Sequence, residues 1–139
     1  MYRVILLVCL LYSPTFAKNK SVQDFYSESQ ALLKKAESAK TLSEKQSYLK
    51  TLEKSLKASL QEYEKETPEE AKGEEKEVSL FESTLEPVFE LKDKKSLAPK
   101  DCDSKKQFII TGDSMGRPEE APRTKTAQEA LRWMDVLCK

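Results

Sequence analysis

Apolar side chains recur at helical spacing from the start of the chain's charged body. Val22, Phe25, Leu32, Ala36 and Ala39 are separated by three, seven, four and three positions, which places them on one face of a helix. Ser21 with Asp24 forms a capping arrangement ahead of that face and predicts a helix over 21–38. Thr41 with Glu44 is a fuller capping box. The hydroxyl can accept from the N–H three residues on, and the carboxylate can reach back. It opens a second predicted helix, over 41–66. There Leu42, Leu49, Leu56 and Tyr63 fall every seven residues, with Leu52 and Leu60 beside them. At 100° per residue these six side chains span an arc of roughly 80°. So narrow a stripe is a coiled-coil-like seam. The connection near 38–40 is short, which favours antiparallel neighbours and hence an N-terminal helical hairpin.

Thr67-Pro68-Glu69-Glu70 is a third helix start, with a cap, a proline suited to the first turn and acids that complement the helix dipole. Val78, Phe81, Leu85 and Val88 continue it, and a helix is predicted over 68–86. Pro87 either bends or ends it. Residues 92–106 hold six lysines and little to bury, so that stretch is predicted flexible. Gln107-Phe108-Ile109-Ile110-Thr111 is bounded by Gly112-Asp113 and reads as a strand. Its nearest partner is 88–92, giving a small two-stranded β element; otherwise it is an extended apolar segment across the helices. Residues 112–125 contain Gly116, Pro118 and Pro122 and no Leu, Ile, Val or Phe, the composition of a flexible loop. Thr126-Ala127-Gln128-Glu129 is a further capping box. It opens a predicted helix over 126–138 with Ala127, Ala130, Leu131, Met134 and Leu137 on one face and Trp133 on its flank. The fold class expected is mainly α, with residues 18–139 as one small domain.

The N-terminus has a different character. Met1-Tyr2-Arg3 is a short positive start, Val4 to Tyr12 is an unbroken apolar run of nine residues, and Ser13-Pro14 breaks it. Thr15-Phe16-Ala17 places a small residue at a cleavage position. This is the three-part layout of a secretory signal over 1–17, with cleavage expected after Ala17. Nine apolar residues are too few to span a bilayer, and no later run reaches the ~18 needed. The expected location is periplasmic or secreted.

Signal removal takes Cys9 with it and leaves Cys102 and Cys138. An even count in an exported chain favours a structural disulfide. The loop it closes is worth at most ~4 kcal/mol by chain entropy. That matters here, because Leu, Ile, Val and Phe number only 23 of the remaining 122 residues and the core must be thin.

Charge and composition narrow the chemistry. The remaining 122 residues carry 23 basic and 24 acidic side chains, so no broad cationic field invites nucleic acid. The chain has no histidine, which excludes Ser-His-Asp and Cys-His catalysis and histidine metal ligation. Gly112-Asp113-Ser114-Met115-Gly116 resembles the surroundings of some hydrolytic serines, but no base accompanies Ser114 and the segment reads as a turn. The acids of 62–77 lack the ordered ligand spacing and glycine of a calcium loop. No catalytic, cofactor-binding or metal-binding residue is assigned.

The resulting expectation is an exported, non-enzymatic helical interaction or structural protein. It would bind a protein partner, or itself, through helical faces. Trp133 either closes the small core or its edge or, because tryptophan is enriched at binding hot spots, serves as the candidate interface residue. A second reading is a secreted inhibitor or effector acting through the 112–125 loop. A third, an enzyme using carboxylates or a lysine, has no constellation behind it.

Overall fold

A computed structural model describes residues 20–65 and 69–139. The expected signal segment 1–17 and its cleavage site after Ala17 lie outside the described residues. Within them the chain forms five helices: α1 (Val22–Ser38), α2 (Leu42–Lys65), α3 (Glu69–Phe89), α4 (Pro99–Ser114) and α5 (Lys125–Leu137).

α1 starts where its capping signal lies. Asp24 N–H donates to Ser21 Oγ at 3.2 Å and Ser21 N–H donates to Asp24 Oδ2 at 2.9 Å. At the start of α2, Glu44 N–H donates to Thr41 Oγ1 and Lys40 N–H to the Glu44 carboxylate, both at 3.2 Å. The two helices run antiparallel. Tyr63, near the end of α2, donates its hydroxyl proton to Lys20 O at 3.0 Å, and Ser55 donates to Glu28 at 3.1 Å. Leu49, Leu52, Leu56 and Tyr63 are buried along the seam. Lys45 and Ser59 interrupt it in different ways. Lys45 donates to Val136 O at 2.9 Å and so satisfies a carbonyl at the end of α5, where a cation is favoured. Ser59 Oγ is buried and finds no hydrogen-bond partner among the described residues.

α3 buries Val78, Phe81, Leu85, Val88 and Phe89. Pro87 sits in its last turn, where the helix ends two residues later. The exit is held by Gln46, whose amide donates to Leu91 O and Lys94 O, each at 2.8 Å.

The two-stranded element expected from 88–92 and 107–111 does not form: the described residues contain no strand. Residues 107–111 belong to α4, and 88–91 close α3 and the turn after it. The start of α4 also lies inside the stretch expected to be flexible, 92–106. Pro99 occupies the first turn of α4 and Asp101 follows it, a helix-start pattern that the surrounding lysines obscure. A short apolar run does not separate strand from helix by periodicity. Here Cys102 and Ile109, seven apart, face inward, while Phe108 is 67% exposed. The stretch expected as a flexible loop, 112–125, begins inside the same helix. Beyond Met115, Gly116 takes φ +73° and turns the chain. Arg117 then ties the loop together, pairing with Asp113 Oδ2 at 3.2 Å and donating to Pro122 O.

α5, like α3, packs against each of the other four helices, so the two together form the centre of the bundle. It starts one residue before its predicted start, with Thr124 as the cap: Ala127 N–H donates to Thr124 Oγ1 at 3.3 Å. The expected capping box of Thr126 with Glu129 is not made, because Glu129 turns into the core. Ala127, Ala130, Trp133 and Met134 have no exposed surface. The disulfide between Cys102 and Cys138 is present, with Cα atoms 6.2 Å apart, and joins the first turn of α4 to the C-cap of α5.

Candidate functional site

Three large apolar side chains are exposed among the described residues: Leu80 (57%), Phe108 (67%) and Met115 (75%). The first two border one groove. α3 contributes Leu80, Thr84 and Pro87 to it, and α4 contributes Phe108, Ile109 and Gly112. Its volume is about 240 Å³. Leu80 stands outside the buried stripe of α3, since it is two residues from Val78 and one from Phe81. Phe108 likewise stands beside Ile109, the one residue of that run that reaches the core. Both are therefore left outward by helices whose inner faces are already filled.

One end of the groove is polar and rigid. Asp113 accepts from the Thr124 hydroxyl at 2.6 Å and from Thr124 N–H at 3.2 Å. With Arg117 on the same carboxylate, the acid closes the end of α4 onto the start of α5. Past Thr124 and Thr126 the depression continues on the other side of Leu80, toward Tyr26, Glu77 and Lys125. The Tyr26 ring meets Phe81 edge-on, centroids 4.7 Å apart, and Lys125 Nζ lies 4.2 Å from its centroid. Burial, aided by the negative charge of Glu129, pushes the Tyr26 hydroxyl up to about 12. It stays a neutral hydrogen-bonding group at any physiological pH.

Trp133 is not at this surface or any other. It has no exposed area, and its Nε1–H donates to Ser29 Oγ at 2.8 Å. Ser29 in turn donates to Glu129 Oε1 at 2.8 Å. Of its two expected roles, Trp133 thus occupies the core position. It lies on the inner side of α5, and its polar edge is satisfied inside the protein, as buried tryptophans require. Cys102 is buried and Cys138 half-buried, joined away from the groove. Ser114 Oγ donates to Ile110 O at 2.8 Å, the bond of an ordinary helix-end serine.

Leu80 and Phe108 are not singled out as a pair by sequence. The available signal was their misfit: large apolar side chains one step off an otherwise complete helical stripe. Among the described residues no group of carboxylates and cysteines could hold a metal ion, and no helix is long and apolar enough to cross a membrane. Comparison with protein-family models, curated proteins and solved structures gives no match.

Proposed function

We propose that this chain is an exported, non-enzymatic interaction protein that holds an apolar segment of a protein partner in the α3–α4 groove. The observation that carries the reading is the pairing of Leu80 and Phe108. Two large apolar side chains remain in water on either side of an open cleft, on a surface otherwise dominated by charge. Exposed apolar patches rimmed by polar groups mark interaction surfaces. Export is supported by the signal-like layout of residues 1–17 and by a cross-link between the two remaining cysteines, the pattern of an oxidising compartment. The non-enzymatic reading is supported by the missing histidine and, among the described residues, by the absence of a nucleophile paired with a base.

A second reading, an inhibitor or effector acting through the loop after α4, draws on Arg117. Its ties to Asp113 and Pro122 hold that loop in one shape, as a presented recognition loop requires.

The test places a photo-crosslinking amino acid at position 108, and separately at Lys34 on the far side of α1, in the chain expressed in its native host. A partner crosslinked from 108 and lost by at least about tenfold on Leu80→Ser fits a hot-spot contact and supports the groove. Equal crosslinking from both positions, or from neither, overturns it. Crosslinking that depends on Arg117 and not on Leu80 moves the function to the loop.

A further inference from the structure

α4 is held differently from its neighbours. Of its 16 residues only Cys102 and Ile109 are buried, whereas α5 buries 8 of 13. Its N-cap residue, Ala98, makes no side-chain cap. At its back end Asp113 is fastened to Thr124 and Arg117. Over its first half the ion pairs are Lys105 with Glu90 and Lys106 with Asp135, surface pairs of the kind that contribute little, and Leu97 just ahead of it is only partly buried. The firm tie at the front is the bond from Cys102 to Cys138.

We propose that the Cys102–Cys138 disulfide is a redox latch on α4. When a dithiol reductant opens it, the front of α4 leaves the bundle about its Asp113–Thr124 anchor while the other helices stay folded. Cys138 is the sulfur open to attack, because it is half-buried whereas Cys102 is buried. A thiolate of the reductant attacks Cys138 Sγ, breaks the S–S bond and forms a mixed disulfide. Cys102 leaves as a thiolate and takes up a proton. The reductant's second thiol then displaces Cys138 as a thiol and closes the reductant's own disulfide. Two electrons and two protons pass from the dithiol to the chain.

Once released, α4 has little reason to stay ordered. A helix of its length is marginal alone, and Gly112 with the β-branched Ile109, Ile110 and Thr111 lowers its propensity further. Phe108 and one wall of the groove leave with it, so reduction removes the apolar cleft. The latch rests on the packing of α4 itself and holds whether or not the groove takes a partner.

Amide hydrogen exchange tests it on the oxidised chain, on the same chain in dithiothreitol, and on the Cys102→Ser/Cys138→Ser double variant. Amides over 102–112 are expected to lose protection at least about tenfold on reduction, while α1, α2 and α5 stay within about twofold. The double variant is expected to match the reduced chain. Unchanged protection over 102–112 overturns the latch. So does an equal loss in every helix, which would make the disulfide a staple of the whole fold. If the double variant does not fold, the reduced wild-type chain decides between these outcomes.

Discussion

The Trp133 indole N–H points at Ser29 Oγ across 2.8 Å, and that serine hands its own proton to Glu129 at the same distance. The three side chains are buried, with exposures of 0%, 0% and 3%. One small hydroxyl on α1 thus satisfies two groups on α5, 104 and 100 positions away in sequence. Ser29→Ala leaves the indole N–H and one carboxylate oxygen without this partner in a buried site. The expected cost is about 2–4 kcal/mol, read from urea denaturation followed by emission of the single tryptophan. Adding Trp133→Phe to Ser29→Ala should cost less than the two changes summed, because the orphaned donor goes as well.

Glu129 makes the bundle sensitive to pH in a defined direction. Burial raises its pKa above the ordinary 4.5, while the Ser29 hydrogen bond and the charges of Arg132 and Lys125 oppose the shift. The folded chain therefore holds this proton at pH values where the unfolded chain has lost it. Its stabilising contribution is complete below pH 4.5 and is lost as pH rises through the raised folded value. Glu82 acts with the same sign, through burial and its neighbour Glu86. Glu129→Gln keeps an oxygen for Ser29 and removes the titration. Its unfolding free energy is expected to fall less steeply than that of the wild type above pH 4.5. Parallel profiles for the two proteins would show that Glu129 does not titrate in that window.

Much of this architecture was legible because it repeats a local rule. Leu49, Leu56 and Tyr63 at intervals of seven define the α2 seam, and the capping residues Ser21 and Thr41 mark helix starts within a residue. What was illegible depended on choices between equal local options. Phe108-Ile109-Ile110 suits a strand or a buried helix turn equally, and only the absence of a free strand partner and the fixed position of Cys102 decide for the helix. Thr126 and Glu129 have the spacing of a capping box, yet burying Glu129 against Ser29 wins and Thr124 takes over the cap. The groove could not be read because Leu80 and Phe108 are 28 positions apart and become neighbours only through α3–α4 packing.

The junction of α4 and α5 has its own test. Thr124 caps α5 and also donates to Asp113, so one hydroxyl serves two elements. Thr124→Ala is expected to cost about 1–2 kcal/mol, the upper half of the range for losing a cap. Asp113→Asn retains an acceptor for Thr124 N–H and loses the charge that holds Arg117, so it should cost less than Thr124→Ala. Thermal unfolding of the two variants checks the order, and the reverse order would show that the Arg117 tie carries more of the junction than the helix cap.

Phe108 and Ile109 are adjacent, equally apolar and oppositely placed, 67% and 5% exposed. Stability and binding should therefore separate between them. Ile109→Ala removes a buried side chain from the one apolar anchor of α4 other than the disulfide, and about 2–4 kcal/mol of loss is expected, as for other buried truncations. Phe108→Ser removes a larger side chain that already meets water, so stability should move by no more than about 0.5 kcal/mol. If the groove holds a partner, the mild variant loses binding while keeping its stability, whereas Ile109→Ala, at the floor of the groove, lowers stability first. Denaturation midpoints measured beside partner capture for the same two proteins distinguish the roles. A Phe108→Ser chain that is markedly destabilised would mean that this ring belongs to the core, and the groove would then have no exposed aromatic wall to offer.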